Sequence, residues 1–368
     1  MIKLGRRELL ASSLFSAAAM QSRAAQTQTQ KLGLPGPYRG RVVAVSHSGS
    51  VSAGKYNRDA VRDMLHKGVM ELTGAPSWQE GWRVFFQKGD VVGLKLNPVG
   101  RPHVMSSPET VQEIVACLNE CGVRNQDIVA YDRYKREFEQ AGFVKWLPEG
   151  VRWTAATDAY DEMQLDMAGY DEKHYVELPL LLPKADPTNP HHRRSYLAKY
   201  ITQDVSKLLN LCLLKHHQSA GITMALKNLS HGLVNNVSRS HVNASNNSCG
   251  SFIPAIVDHA IIRQKVVLNI GDGVIAGYHG GPGGGVGKYM WDHKTMYFST
   301  DPVAMDRTGW TALDAERVAR GMKPIALAYQ DKDSQFVRMQ PEHVDIAGLL
   351  GLGESDPAKI DVRKITLA

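Results

Sequence analysis

The run Leu208-Leu209-Asn210-Leu211-Cys212-Leu213-Leu214 stops abruptly at Lys215-His216-His217. An apolar run of this length bounded by polar residues predicts a fully buried strand. In open α/β sheets, ligands bind beyond the carboxyl ends of such strands. Past this strand the chain carries Ala220-Gly221-Ile222-Thr223, Lys227-Asn228, Ser230-His231-Gly232, Asn235-Asn236, His241 and Cys249. These side chains can ligate metal, donate hydrogen bonds or transfer protons, and small residues separate them.

The rest of the chain alternates in the same manner. Arg41 to Ser46 predicts a first strand, and Asn57 caps an amphipathic helix to Leu72. A second strand enters at Gly89-Asp90 and ends at Asn97. Ser107-Pro108 opens a helix that runs through Val111 to Cys121. Asp127 to Tyr131 reads as a third strand with Asp132-Arg133 at its end. After the strand at Leu208 come a helix over 253–262, a strand over 265–270 ending at Gly271-Asp272-Gly273, and helices opened by Asp301-Pro302 and Pro341. The pattern predicts an α/β fold with a mainly parallel sheet and helices on both faces. The polar, proline-punctuated stretch 150–205 does not read as regular structure and is a candidate boundary between two lobes.

Residues 1–25 read as an export signal: Lys3, Arg6 and Arg7, then a modestly apolar stretch from Leu9 to Met20 and a small-residue exit. The pair Arg6-Arg7 before Glu8-Leu9-Leu10 has the form of a twin-arginine signal, which implies the twin-arginine export machinery as a partner and a periplasmic or secreted destination. Residues 26–40 form a polar linker, and 41–368 the mature domain. Four cations against one carboxylate in the first 24 residues account for half of the formal charge of +6. The remaining charge is interspersed, which argues against nucleic acid as a partner, and no later stretch is long and apolar enough to span a membrane. The four cysteines contain no CxxC, so no iron–sulfur cluster is expected.

Several motifs compete for the chemistry. Gly49-Ser50-Val51-Ser52-Ala53-Gly54-Lys55 matches a phosphate loop, but Tyr56 stands where the motif needs a metal-binding hydroxyl. The glycine-rich segment from Gly280 and Gly281 onward, with Lys288, is a candidate anion cradle or a close backbone approach. Asp132, Asp272 and Asp301 stand at predicted strand ends, where Asp301 serves equally well as a helix cap. The candidate metal ligands are His216, His217, His231, His241 and Cys249. Lys215 and Lys227 are candidate proton donors or anion clamps.

Together these blocks resemble the domain of unknown function 362 family, in its exported, twin-arginine form. The likeness is carried by Trp82 to Asn97, Ser107-Pro108-Glu109, Tyr131-Asp132-Arg133, Lys215 to Gly232, Asp272-Gly273 with Gly280-Gly281-Pro282, and Ser299 to Asp306. A shorter stretch, His217-x-x-Ala220-Gly221-Ile222-Thr223 with Lys227 ten residues after the histidine, is similar to nickel-pincer lactate racemases. That likeness implies a transition metal, nickel for instance, with Lys227 as a covalent anchor for the pincer and His217 as a ligand or proton carrier. The family likeness assigns no reaction; the residues concentrated after the buried strand, with the second likeness, lead to the expectation of an exported enzyme, or enzyme-like protein, with a metal or organometallic centre acting on a small anionic molecule. His217, Lys227 and His231 would do the chemistry, while Lys215, Asn228, Asp272, Gly280 and Gly281 would hold the bound group. The alternative is a binding protein that holds the same anion or metal without changing it.

Overall fold

The computed structural model describes residues 31–368, so the segment expected to be an export signal and residues 26–30 of the expected linker lie outside it. Leu32–Ala368 forms one unit around a nine-stranded sheet. Its strands are β1 (Arg41–His47), β2 (Val92–Lys95), β3 (Ile128–Tyr134), β4 (Arg152–Thr157), β5 (Lys207–His217), β6 (Gly221–Thr223), β7 (Val266–Gly277), β8 (Met290–Ser299) and β9 (Asp361–Leu367). The order across the sheet is β9-β1-β8-β7-β5-β2-β3-β4, with β6 paired to the end of β5. The pairs β7–β5, β5–β2, β2–β3, β3–β4 and β1–β9 are parallel. Those of β8 with β1 and β7, and of β6 with β5, are antiparallel. The α/β, mainly parallel reading holds.

β5 lies inside this sheet because its side chains are apolar in both directions. Leu209, Leu211 and Leu213 enter one core, Leu208, Cys212 and Leu214 the other, as the two-residue period of a strand requires. The first core is closed by α1 (Arg58–Thr73) and α2 (Pro108–Glu120) through Val61, Leu65, Val111 and Ile114. The second is closed by α3 (Ala225–Leu233), α4 (Cys249–Val257) and α5 (Pro302–Ala319) through Leu226, Phe252 and Leu313. Asn57, Ser107 and Asp301 each cap a helix with a side-chain oxygen. Asp301 also accepts from the N–H groups of Gly40 and Glu354, both at 2.9 Å. Four backbone donors saturate that carboxylate, so it is a structural hub with no ligand role.

Three sequence expectations change. β7 does not end at Gly271-Asp272-Gly273 but runs through it to Gly277, paired with β8 at Gly271↔Tyr297 and Asp272↔Met296. Glycine at 271 marks close packing instead of a turn: a Cβ there would lie 2.5 Å from Met224 Cε. The helix expected over 253–262 is two helices, Cys249–Val257 and Ala260–Lys265, parted at Asp258-His259. The last residues of the linker are docked, with Leu34 buried and its N–H on the Arg263 carbonyl at 2.7 Å. All four cysteines are free. The stretch 150–205 supplies β4 and a hairpin, Tyr170–Glu177 with Arg194–Ala198.

Candidate functional site

At the carboxyl ends of β2, β3 and β5 lies a cavity of about 570 Å³, a size that suits a small organic molecule. β2 and the turn after it bring Lys95, Asn97 and Val99; β3 brings Asp132, Arg133 and Tyr134. β5 brings Lys215 and His217, and α3 brings Lys227, Asn228 and His231. His241 stands on the following loop. The stretch 150–205 contributes Tyr160, Glu162, Gln164, Leu182 and Lys184 to the outer wall.

Five cations and two carboxylates line this space, and hydrogen-bond satisfaction separates them. Lys95 donates to Asp132 Oδ1 at 2.5 Å, to the Leu96 carbonyl and to Asn228 Oδ1. Lys215 donates to Asn97 Oδ1 at 3.1 Å and to the carbonyls of Val99 and Val104. An ammonium has three donors, so both lysines are spent on the protein. Lys184 pairs with Glu162 at 3.2 Å. Lys227 is only 5 % exposed, and among the described residues its Nζ has no hydrogen-bond or ion-pair partner. Arg133 packs its guanidinium over the Tyr134 ring and leaves a buried Nη1 without an acceptor. Among the described residues, Lys227 and Arg133 are thus the cavity-lining cations without a hydrogen-bond or ion-pair partner.

Burial holds Lys227 down to about 8 and Lys215 to about 7, from an ordinary 10.5. Burial, then the nearby Lys227 charge, holds His217 and His231 well below the usual histidine range, and pushes His241 down to about 3. All three imidazoles are neutral near pH 7. For His217 the tautomer follows from geometry. Its Nδ1 accepts from the backbone N–H groups of Ser219 at 3.2 Å and Ala220 at 3.4 Å. A backbone N–H can only donate, so the proton of the neutral ring sits on Nε2.

The structure brings some of the candidate residues together and separates others. His217, Lys227, His231 and His241 share the cavity wall, and ligand atoms of His231, His241 and Cys249 lie within 4.8 Å of one another. His216 does not join them. Strand alternation turns it away from Lys215 and His217, with its ring centroid 5.1 Å from that of His279 and, among the described residues, no partner for either nitrogen. His217 does not fit as a metal ligand either, since Nδ1 is occupied and Nε2 carries the proton. Asn228 is saturated: Oδ1 accepts from Lys95 and Asn97, and Nδ2 donates to Asn210 Oδ1 and the Leu211 carbonyl. It braces α3 against β5 and has no capacity left for a ligand, and Lys215 likewise braces the turn at 97–104.

Asp272 does not line the cavity; it accepts from Tyr56 Oη at 3.1 Å and Thr110 Oγ1 at 3.0 Å. Tyr56 is the residue that breaks the phosphate-loop motif, and this contact is its role. Gly280 and Gly281 do not line the cavity. A Cβ on Gly281 would fall 1.9 Å from the His216 carbonyl oxygen, so the glycine lets this loop lie against β5. Sequence reasoning did not single out Arg133, although it stood in view at the end of β3. The outer wall carried no signal at all.

No curated protein matches the chain. Among solved structures, it is similar to a crystal structure of a Thermotoga maritima protein from the Northeast Structural Genomics Consortium, at 9% identity and a TM-score of 0.34. That likeness covers 60% of this chain and 51% of the other, so the chain spans about half the length of that protein. The family model described as domain of unknown function (DUF362) matches residues 92–311, from β2 into α5 and so across the whole cavity, and the chain belongs to that family.

Proposed function

We propose that this chain is an enzyme that takes a small organic anion into the cavity and moves a proton at the carbon beside its carboxylate. One observation carries the reading: among the described residues, Lys227 and Arg133 are the two cavity cations with no hydrogen-bond or ion-pair partner. Burying a cation without a partner is costly, and a bound anion offsets that cost. Arg133 presents a planar fork that suits a carboxylate. His217 offers a neutral Nε2–H, which can polarise a carbonyl or carboxylate oxygen as the enolate forms. Lys227, held near 8, is about one-tenth unprotonated at pH 7 and can act as the base.

In the fuller form of this reading the site also carries a transition metal or an organometallic group, with nickel as one candidate. The chain's residues fit such a group in part. Lys227 is an unpaired amine on the cavity wall, open to covalent attachment, and His231, His241 and Cys249 are close enough to share an ion. A bound metal would supply Lewis acidity toward the substrate's oxygens. The twin-arginine segment supports export to the periplasm or beyond.

The test is exchange of carbon-bound hydrogen in deuterated water, followed by mass spectrometry on a panel of small 2-hydroxy and 2-oxo acids. Exchange that is lost in Lys227→Met and His217→Gln supports the proposal. Saturable binding that returns every acid unlabelled favours the non-catalytic binding protein. No binding by any acid overturns both.

A further inference from the structure

We infer that His231, His241 and Cys249 form a three-ligand site for a borderline transition-metal ion of the zinc or nickel kind, with the cavity's anion as fourth ligand. The inference rests on the anion-pocket reading and extends it. Ligand atoms of the three residues lie within 4.8 Å of one another. Metal bonds of about 2.0–2.3 Å in a tetrahedron put ligand atoms roughly 3.5 Å apart, so the set closes by about an ångström. Two imidazoles and a thiolate select zinc-like or nickel-like ions over magnesium or calcium, and three protein ligands with one open position are the arrangement of catalytic metal sites.

Hydrogen bonds behind the ligands already orient them. The Ser240 hydroxyl donates to the Val237 carbonyl at 2.7 Å, so toward His241 Nδ1, at 3.0 Å, it accepts. That places the His241 proton on Nδ1 and leaves Nε2 with its lone pair. His231 has a hydroxyl at each nitrogen, Ser230 Oγ by Nδ1 and Ser240 Oγ by Nε2, both at 3.0 Å. Because Ser240 spends its proton on Val237, it accepts from His231 Nε2–H in the metal-free chain; an ion that takes Nε2 sends that proton to Nδ1, where Ser230 Oγ, which donates to the Lys227 carbonyl at 3.3 Å, accepts it. Such partners on the far nitrogen are the usual support of a ligating histidine. Cys249 lies 3.5 Å from Ser219 Oγ, which in turn is 2.9 Å from His217 Nδ1, so one serine links the ligand set to the donor that faces the substrate.

Charge decides what completes the site. A divalent ion on one thiolate and two neutral imidazoles keeps a net positive charge, and Lys227 and Arg133 add two more. No carboxylate belongs to the set, and the two that line the cavity, Asp132 and Glu162, are each paired with a lysine. The remaining position therefore calls for an anion, and metal and anion should bind cooperatively. Linkage makes that effect equal in both directions.

The test is calorimetric titration of the metal-stripped full chain with Zn²⁺, and separately with Ni²⁺, with and without L-lactate, a weak chelator in solution. The expected result is one equivalent of metal, bound more tightly when lactate is present. His241→Gln and Cys249→Ser should each weaken binding by ~10-fold or more, with the thermal melt of the stripped protein unchanged for His241→Gln. Absence of stoichiometric binding, or wild-type affinity in His241→Gln, overturns the ligand set. Metal affinity indifferent to lactate overturns the fourth-ligand assignment. If lactate binds the stripped chain but neither metal does, this inference fails while the anion-pocket reading stands; if lactate does not bind at all, the pocket reading itself fails.

Discussion

Replacing Lys227 by methionine should make the protein more stable and inactive. Methionine keeps the unbranched stem and removes the ammonium. Burial lowers the Lys227 pKa from 10.5 to about 8 in the folded chain, and a pKa change of one corresponds to about 1.4 kcal/mol. At pH 7 the folded state therefore carries a penalty of about 3 kcal/mol for keeping the charge, which the variant does not have. The sign follows from proton binding. Below pH 8 the amine is protonated in both folded and unfolded chains, so the whole penalty is present. Between pH 8 and 10.5 only the unfolded chain holds the proton, and wild-type stability rises relative to the variant. Urea titrations of metal-stripped protein should show Lys227→Met ahead by about 3 kcal/mol at pH 7 and by about 1 kcal/mol at pH 9.5, with an unchanged denaturant slope. The same variant should neither bind nor exchange the acid. A variant less stable than wild type, or a gap that does not narrow with pH, would refute the claim that this amine is unpaired. Gain of stability on loss of function is the mark of a residue held for chemistry.

The braces should behave in the opposite way. Asn228→Leu removes an amide with four partners and should cost about 3 kcal/mol in urea titration, while calorimetry shows the folded fraction binding lactate within about twofold of wild type. Lys215→Met orphans three acceptors on the 97–104 turn but also removes a buried charge; a net loss of about 1–2 kcal/mol is expected, with faster hydrogen exchange in that turn. In activity assays kcat/KM should rise with pH through about 8 as Lys227 loses its proton, and a profile flat from pH 6 to 9 would exclude that lysine as the base.

The fold could be read from local pattern because β5, β2 and β3 are apolar runs whose burial leaves no alternative to a covered sheet. Helix starts could be read because Asn57, Ser107 and Asp301 sit where a side-chain oxygen meets the first free N–H groups. The end of β7 could not. Gly271-Asp272-Gly273 has turn composition, and only tertiary contact explains it: Met224 needs the space above Gly271, and Tyr56 and Thr110 supply donors to Asp272. The outer wall of the cavity was equally invisible. Tyr160, Gln164 and Leu182 are placed by the hairpin at 170–198 and by β4, and no periodicity in the chain announces them.

For the site, the sequence showed which residue types are concentrated after β5, and it could not rank them. Lys215 and Lys227 have the same chemistry and both follow one strand, so composition treats them alike. The structure separates them by counting acceptors: three around Lys215 and, among the described residues, none around Lys227. The same accounting removes Asn228, whose amide is full, and brings in Arg133, whose Nη1 is empty. It also inverts the expectation for His217, because two backbone N–H groups on Nδ1 make the ring a donor toward the cavity instead of a metal ligand. Donors and acceptors that meet across more than a hundred residues, as Lys215 and Asn97 do, leave no trace in spacing. A functional group in this cavity is thus recognised by the partner the protein has not given it. That criterion would have ranked Lys227 first even without the histidine ten residues before it.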